Sequence, residues 1–353
     1  MSESGNIVAG TAARIFADLA DPQTINRAEN ERWKVPLWQA LVDAGLTLAW
    51  VPERHGGSGA SVAEGFEILG VAGRFAAPVP LAETMLAGWL LSCAGIVSPA
   101  GVMTVAPARP RDRIVLEPDG TLSGCAHGVP FAQDAPHLAV VAHGAAPSIA
   151  LVETSACRVA DGRSLAGDAL NVVTLDRATP IHIAPAPAEF DQTSLMLMGA
   201  VARSVETAGA LEAILALTLR YANERIAFER PIAKFQAVQH NIARLAGEVA
   251  AAMTAAGSAA DAIAHADIFD EAIFLETAAA KIRSAEAAEE GAAIAHQVHG
   301  AIGFTKEHIL HRFTLRLLAW RDDFGDESHW ATALGNRVAA RGADEFWPLV
   351  ASR

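Results

Sequence analysis

Residues 220–249, RYANERIAFERPIAKFQAVQHNIARLAGEV, set a basic, proline-broken segment between two Ala/Leu-rich runs that already read as helix. Helix formation has no need of Arg225, Phe228, Arg230, Pro231 and Gln236 in that order. Arg225 and Phe228 are three apart, so they are expected to share a helix face and present a guanidinium beside an aromatic ring. The planar fork of arginine suits a pyrophosphate, because it donates paired hydrogen bonds to phosphate oxygens. Pro231 is expected to end that helix, and Gln236 to open the next with an amide that donates and accepts. Farther along, Gln297, Gly300 and Gly303 lie in QVHGAIGFT, a turn where backbone can approach a ligand without a Cβ in the way. Asp323 and Asp326, in RDDFGDES, are carboxylates before a helix, suited either to taking a proton or to capping.

These groups need elements to position them, and the chain divides by character into 1–99, 100–190 and 191–353. The first part reads helical, with Ser61 and Glu64 spaced as a capping box at a helix start. From about residue 100 the chain is dense in Pro, Gly and Asp, with short β-branched runs RIVLE, HLAVVAH, SIALVE and NVVTLD between turns. These strands are too closely spaced for βαβ crossovers. From Thr193 long helices return, expected over about 195–228, 236–263, 267–298 and 326–341. In the second of them Ile242, Leu245, Ala246, Val249 and Met253 make an apolar face. The expected fold is α+β: an N-terminal helical domain, a small middle β-barrel-like domain and a C-terminal four-helix bundle.

Composition narrows the function. The 353 residues are 52% hydrophobic and 19% charged, with a net charge of −13 and no basic block. That excludes a phosphate-tracking nucleic-acid protein but leaves room for a small anion held by a few arginines. No run reaches the roughly 18 apolar residues of a membrane span, and MSESGNIVAG has neither the basic nor the apolar region of a signal peptide. The alanine-rich faces point to helix packing and subunit interfaces instead. Cys93, Cys125 and Cys157 are odd in number and widely spaced, which fits a reducing cytoplasm.

RIAFERPIAKFQAVQHNIARLA resembles the R-x-x-F-G-R-P-I-x-x-F-Q-x-V-Q-H-x-L-A pattern of the acyl-CoA dehydrogenases, with Glu229 in place of Gly. QVHGAIGFT resembles that family's Q-x-x-G-G-x-G-F/Y-T loop, with Ala301 for the second Gly, and VPERHGGSGAS its P-E-x-x-G-G-x-G-x-S. The helical–β–helical order is also that family's layout. The resemblance implies FAD as cofactor, with Arg225, Phe228, Gln236, Gln297, Gly300 and Gly303 holding the adenosine diphosphate half of an FAD seated mostly in the neighbouring subunit. It implies an acyl-CoA substrate, an electron-transfer flavoprotein-like acceptor, and a homo- or hetero-oligomer arranged as a dimer of dimers.

Departures from the pattern cluster at the flavin-ring side. The family's base, a glutamate near the acyl α-carbon, sits in one of two places, and the counterparts here are Phe324 and Gly199. Neither takes a proton, so Asp326, or Asp323 beside it, is the available carboxylate. VMTVAPARPRD keeps Thr104 of T-E-x-x-x-G-S-D but little else, and Phe131 stands in for a flavin-stacking aromatic. The asymmetry resembles the short, unequal subunits of bacterial steroid and cholate side-chain degradation, where one chain alone supplies the base. Two readings stay open: an FAD-dependent acyl-CoA α,β-dehydrogenase, and a catalytically silent subunit completing a partner's FAD site. His296, His299, His308 and His311 form two i, i+3 pairs near Glu307, but they straddle the glycine turn and are not read as a metal site. Tyr221 is read as packing or interface, and Cys125 and Cys157 as small buried apolar residues.

Overall fold

The computed structural model describes residues 3–351, so positions 1–2 and 352–353 of the expected outer parts lie outside it. Five helices come first: α1 (Glu3–Leu19), α2 (Pro22–Arg27), α3 (Lys34–Asp43), α4 (Val62–Phe75) and α5 (Leu81–Cys93). α4 opens on the expected capping box, with Ser61 Oγ accepting from Glu64 N and the Glu64 carboxylate from Ser61 N. α5 is buried from Leu81 to Leu91, including Glu83 and Thr84, because it is sandwiched between the other helices and the β layer.

The middle part holds β1 (Met103–Ala106), β2 (Arg113–Leu116), β3 (Leu122–Pro130), β4 (His137–Ala142), β5 (Ser148–Glu153), β6 (Arg158–Ala160), β7 (Leu170–Ala178) and β8 (His182–Pro185). They form two four-stranded sheets, ordered β1-β4-β5-β8 and β2-β3-β7-β6. A bridge between Val115 and His143 joins the sheets. Only β1–β4 among the named pairs of these sheets is parallel. Ala106, Ile114, Val129, Leu138, Val140, Val152 and Val173 fill the space between them.

The last part is built on α6 (Gln192–Glu224), α7 (Gln236–Ala264) and α8 (Glu271–His299), which pack on one another. The hairpin β9 (Ile226–Ala227) and β10 (Arg230–Pro231) lies between α6 and α7. α9 (Leu310–Trp320) and α10 (Glu327–Arg341) then share the fourth position of the bundle, both against α8, before α11 (Ala343–Ala351). Buried alanines such as Ala210, Ala252, Ala280, Ala287 and Ala288 let the long helices approach closely. One core runs through all three parts, from Phe16 and Leu69 through Met103 and Val141 to Leu195 and Phe274.

Four details differ from the sequence reading. α6 stops at Glu224 rather than 228, because the chain turns back as a hairpin. α8 starts at Glu271, capped by Asp270, rather than at 267. α9 was not expected, although Leu310, Phe313, Leu317 and Trp320 make a buried face at helical spacing. On α7 the buried stripe is Leu245, Val249, Ala252, Ala256, Ala259 and Ile263, while Ala246 and Met253 are exposed. Among the described residues no helix is long and apolar enough to cross a membrane.

Candidate functional site

Two arrangements stand out, at opposite ends of the chemistry expected from the sequence. The first is the end of the bundle where α6 and α8 finish. Arg225 is the first residue beyond α6 (φ −73°, ψ 116°), and its N–H still bonds Tyr221 O at 2.8 Å. Phe228 and Glu229 follow at φ 49° and 64°, the paired left-handed turn of a two-residue hairpin with Arg230 opposite Ala227. Arg225 and Phe228 therefore sit on a hairpin and not on a helix face, and Pro231 ends the hairpin and not the helix. The positive φ at Glu229 also explains why the related pattern carries glycine there: a side chain in that region costs roughly 1–2 kcal/mol.

The hairpin projects its groups outward. Phe228 is 90% exposed, with its ring 6.1 Å edge-on to Phe235. The Arg230 guanidinium lies 4.3 Å over the Phe235 ring. Arg225 and Gln236 are exposed, Gln236 as the first residue of α7. Gln297 is exposed in the last turn of α8, and Gly300 follows at φ 68°, ψ −152°, a conformation only glycine adopts without strain. Gly303 is buried against His296, His299 and Leu310.

Tyr221, one turn before Arg225, ties the two segments together. Its hydroxyl donates to His299 O at 3.2 Å, and its ring stacks on His299 at 4.4 Å. His296 stacks on Phe304 at 4.0 Å and meets Thr314 Oγ1 at 2.9 Å. Burial pushes His299 down to about 4 and lowers His296 and His308, so these imidazoles are neutral packing groups around the glycine turn. The result is an exposed guanidinium, an aromatic face, two amides and an open backbone turn on one end of the bundle. That set suits a ligand carrying pyrophosphate and a flat ring.

The second arrangement is a cleft of about 610 Å³ between the chain leading into β2 and the start of α10. Arg109 and Arg111 line one side; Asp326, Ser328, His329 and Asn336 line the other. Arg109 Nη1 donates to the carbonyl of Asp322, fixing the two walls to each other. Asp326 is the N-cap of α10, its Oδ1 accepting from His329 N at 2.7 Å. Burial lowers His329, against the pull of Asp326 and with a further push from Arg111.

Asp323 is not in this cleft. It is buried, with Oδ2 2.9 Å from Arg203 Nε, and Arg203 also binds Glu206 Oε2 at 2.6 Å and Glu83 Oε1. Burial alone would lower Arg203, but the carboxylates of Glu83, Glu206 and Asp323 raise it well above its ordinary value. Burial pushes Glu206 up to about 7 and Lys281 down to about 7, with Lys281 Nζ donating to Trp320 O at 2.8 Å. Asp323 therefore neither caps α10 nor faces the cleft: that side chain anchors the turn. Arg203 is the signal that went unread, a cation in the middle of an apolar helix with Glu206 three residues on.

Between Asp323 and Asp326 the side chain that turns inward is Phe324, fully buried at φ 55°. Its ring lies on Gly199 of α6: a Cβ built on that glycine would come within 2.6 Å of three ring atoms. Thr104 and Phe131 come together in the β layer, Thr104 on β1 and Phe131 just after β3. Thr104 Oγ1 donates to Pro130 O at 2.7 Å, and Phe131, at φ 53°, is buried. Cys157 and Cys125 are half-buried, not buried as expected.

Comparison with known proteins bears on both arrangements. Residues 191–322 match the family described as acyl-CoA dehydrogenase, C-terminal domain. The match ends one residue before Asp323. The acyl-CoA dehydrogenase IpdE2 of Mycobacterium tuberculosis is 27% identical over 317 residues, 89% of this chain and 91% of that one. The structure of the ChsE4–ChsE5 complex from Mycobacterium tuberculosis superposes with a TM-score of 0.85 at 23% identity, covering 97% of this chain and 99% of that one. A Tcur3481–Tcur3483 steroid ACAD superposes with a TM-score of 0.82 at 26% identity, covering 96% and 98%. Residues 191–322 thus match the acyl-CoA dehydrogenase C-terminal domain, and over its full length the chain is similar to acyl-CoA dehydrogenases in sequence and shares their helical–β–helical fold.

Proposed function

We propose that this chain is one subunit of an FAD-dependent dehydrogenase that introduces an α,β double bond into an acyl-CoA thioester, and that a partner chain supplies the catalytic base. The observation that carries this reading is the packing of Phe324 on Gly199. These are the two positions where the family pattern puts its glutamate, and here one side chain fills the space of both. The neighbouring carboxylates have other work: Asp323 pairs with Arg203, and Asp326 caps α10.

The residues fit FAD at the other end of the bundle. Arg225 has no ion-pair partner among the described residues, Phe228 offers an open ring, and Gly300 adopts a turn closed to other residues. Arg225 and Gln236 would bond the pyrophosphate, and Gln297 with the turn at Gly300 would hold the adenosine side, of the flavin in a partner's site. Bound FAD supplies the acceptor for the hydride leaving the acyl β-carbon. An apolar groove of about 390 Å³ beside the hairpin, lined by Leu215, Leu219, Ile242 and Ala246, gives a partner helix a place to pack. The ChsE4–ChsE5 and Tcur3481–Tcur3483 structures each pair two chains by name, which supports a hetero-oligomer. The steroid named in the second supports a bulky lipid or steroid thioester as substrate, with an electron-transfer flavoprotein-like acceptor. Free cysteines fit a cytoplasmic setting.

A second reading, in which Asp326 serves as this chain's own base, rests on its place in the cleft beside Arg109 and Arg111. Purification separates the two. Expressed alone, the chain should lack flavin absorbance and dehydrogenate no acyl-CoA; co-expressed with a family member that carries the glutamate, it should yield a yellow, active complex. A yellow and active preparation of this chain alone would overturn the proposal.

A further inference from the structure

On the outer face of the second sheet, Cys125 and His127 are two residues apart on β3, so their side chains point the same way. The sulfur lies 3.8 Å from His127 Nε2. On the far side of the ring, His127 Nδ1 is 2.9 Å from Asp112 Oδ1, and Asp112 Oδ2 also accepts from His127 N at 2.6 Å. Thr174 Oγ1, opposite Cys125 on β7, approaches the sulfur at 3.9 Å. The arrangement has the three roles of an activated nucleophile: a thiol, a base facing it, and a carboxylate that fixes the base.

We propose that Cys125, His127 and Asp112 form a nucleophilic thiol centre, separate from the flavin chemistry, that reacts with soft carbon electrophiles such as alkyl halides and activated alkenes. With Nδ1–H donated to Asp112, the Nε2 lone pair faces the thiol. The thiol proton passes to Nε2 as sulfur attacks; with iodoacetamide the S–C bond forms, the C–I bond breaks and iodide leaves. Asp112 stabilises the imidazolium, and Thr174 donates to the developing thiolate. Arg113 lies opposite Cys125 on β2, and Arg158 lies beyond Thr174 on β6. The Arg113 guanidinium is itself held by Pro110 O, Asp112 O and Gln192 Oε1.

The other two cysteines provide internal controls. Burial pushes the Cys93 thiol up to about 12 and the Cys157 thiol up to about 11. The folded protein is treated with limiting iodoacetamide at neutral pH, and each cysteine peptide is quantified by mass spectrometry. Cys125 should label roughly tenfold or more faster than Cys93 and Cys157, one unit of thiol pKa being worth about tenfold in thiolate. His127→Gln and Asp112→Asn should slow Cys125 by a similar factor and leave Cys157 unchanged, a selectivity that general loosening of the sheet would not produce. The proposal fails if wild-type Cys125 labels no faster than Cys157. It also fails if Cys125 labels at the wild-type rate in the folded His127→Gln protein.

Discussion

The ring of Phe324 lies against the bare Cα of Gly199, so that a residue from the turn before α10 is seated directly on the N-terminal part of α6. The contact requires glycine on one side and a flat side chain on the other. Trp330 holds the turn from behind, its Nε1 donating to Phe324 O at 3.1 Å. Gly199→Ala should therefore destabilise the protein by about 1–3 kcal/mol, as overpacking of a filled core does, even though alanine favours helix. Denaturant titration checks this; an unchanged midpoint would mean that the ring moves aside freely.

The charged cluster behind that turn should give a pH signature. Burial raises Glu206 to about 7, so its folded form keeps a proton that the unfolded chain releases near its ordinary value. The stability tied to that proton is fully present below the ordinary value of 4.5 and is lost as pH rises through about 7. Lys281 acts in the opposite sense: its contribution is present above 10.5 and is lost as pH falls through about 7. Glu206→Gln should thus gain stability relative to the wild type progressively between pH 4.5 and 7. Unfolding midpoints of the two proteins that run parallel across that window would show that Glu206 ionises normally.

The hairpin arginine should act on flavin rather than on folding. Arg225 is exposed and outside any helix, so Arg225→Ala should leave the thermal midpoint of the complex nearly unchanged. FAD affinity should fall roughly ten- to hundredfold, because a charge-assisted phosphate contact is worth about 1.5–3 kcal/mol. Flavin titration of the apo complex measures it, and equal affinity would make Arg225 a surface charge.

Much of the architecture is legible in the chain itself, because hydrophobic period and turn chemistry act locally. Ser61–Glu64 opens a helix, the β-branched runs are strands, and Gln236 starts α7, each within a residue or two of expectation. Long-range packing is not written in that way. Phe324 and Gly199 are far apart in sequence, and only the fold brings them together. Asp323 and Asp326 look alike as residues in a turn, yet a buried Arg203 claims one and a backbone N–H the other. Phe228 reads as the end of a helix because neither it nor Glu229 announces a left-handed turn, which glycine would have done. Cys125 and His127 share a face for the simple reason that they are two apart on a strand, but the third member, Asp112, lies before a different strand.

The claim that this chain leaves the base to its partner is tested most directly at Asp326, in the assembled, flavin-loaded complex. Asp326→Asn keeps an oxygen to cap α10, so the fold should be preserved, while any capacity of that side chain to take the substrate proton is removed. The initial rate of acyl-CoA dehydrogenation is then compared with that of the wild-type complex. An unchanged rate is the result expected here; a fall on the order of 10²–10⁴, the usual effect of deleting a general base, would show that this chain performs the proton transfer itself.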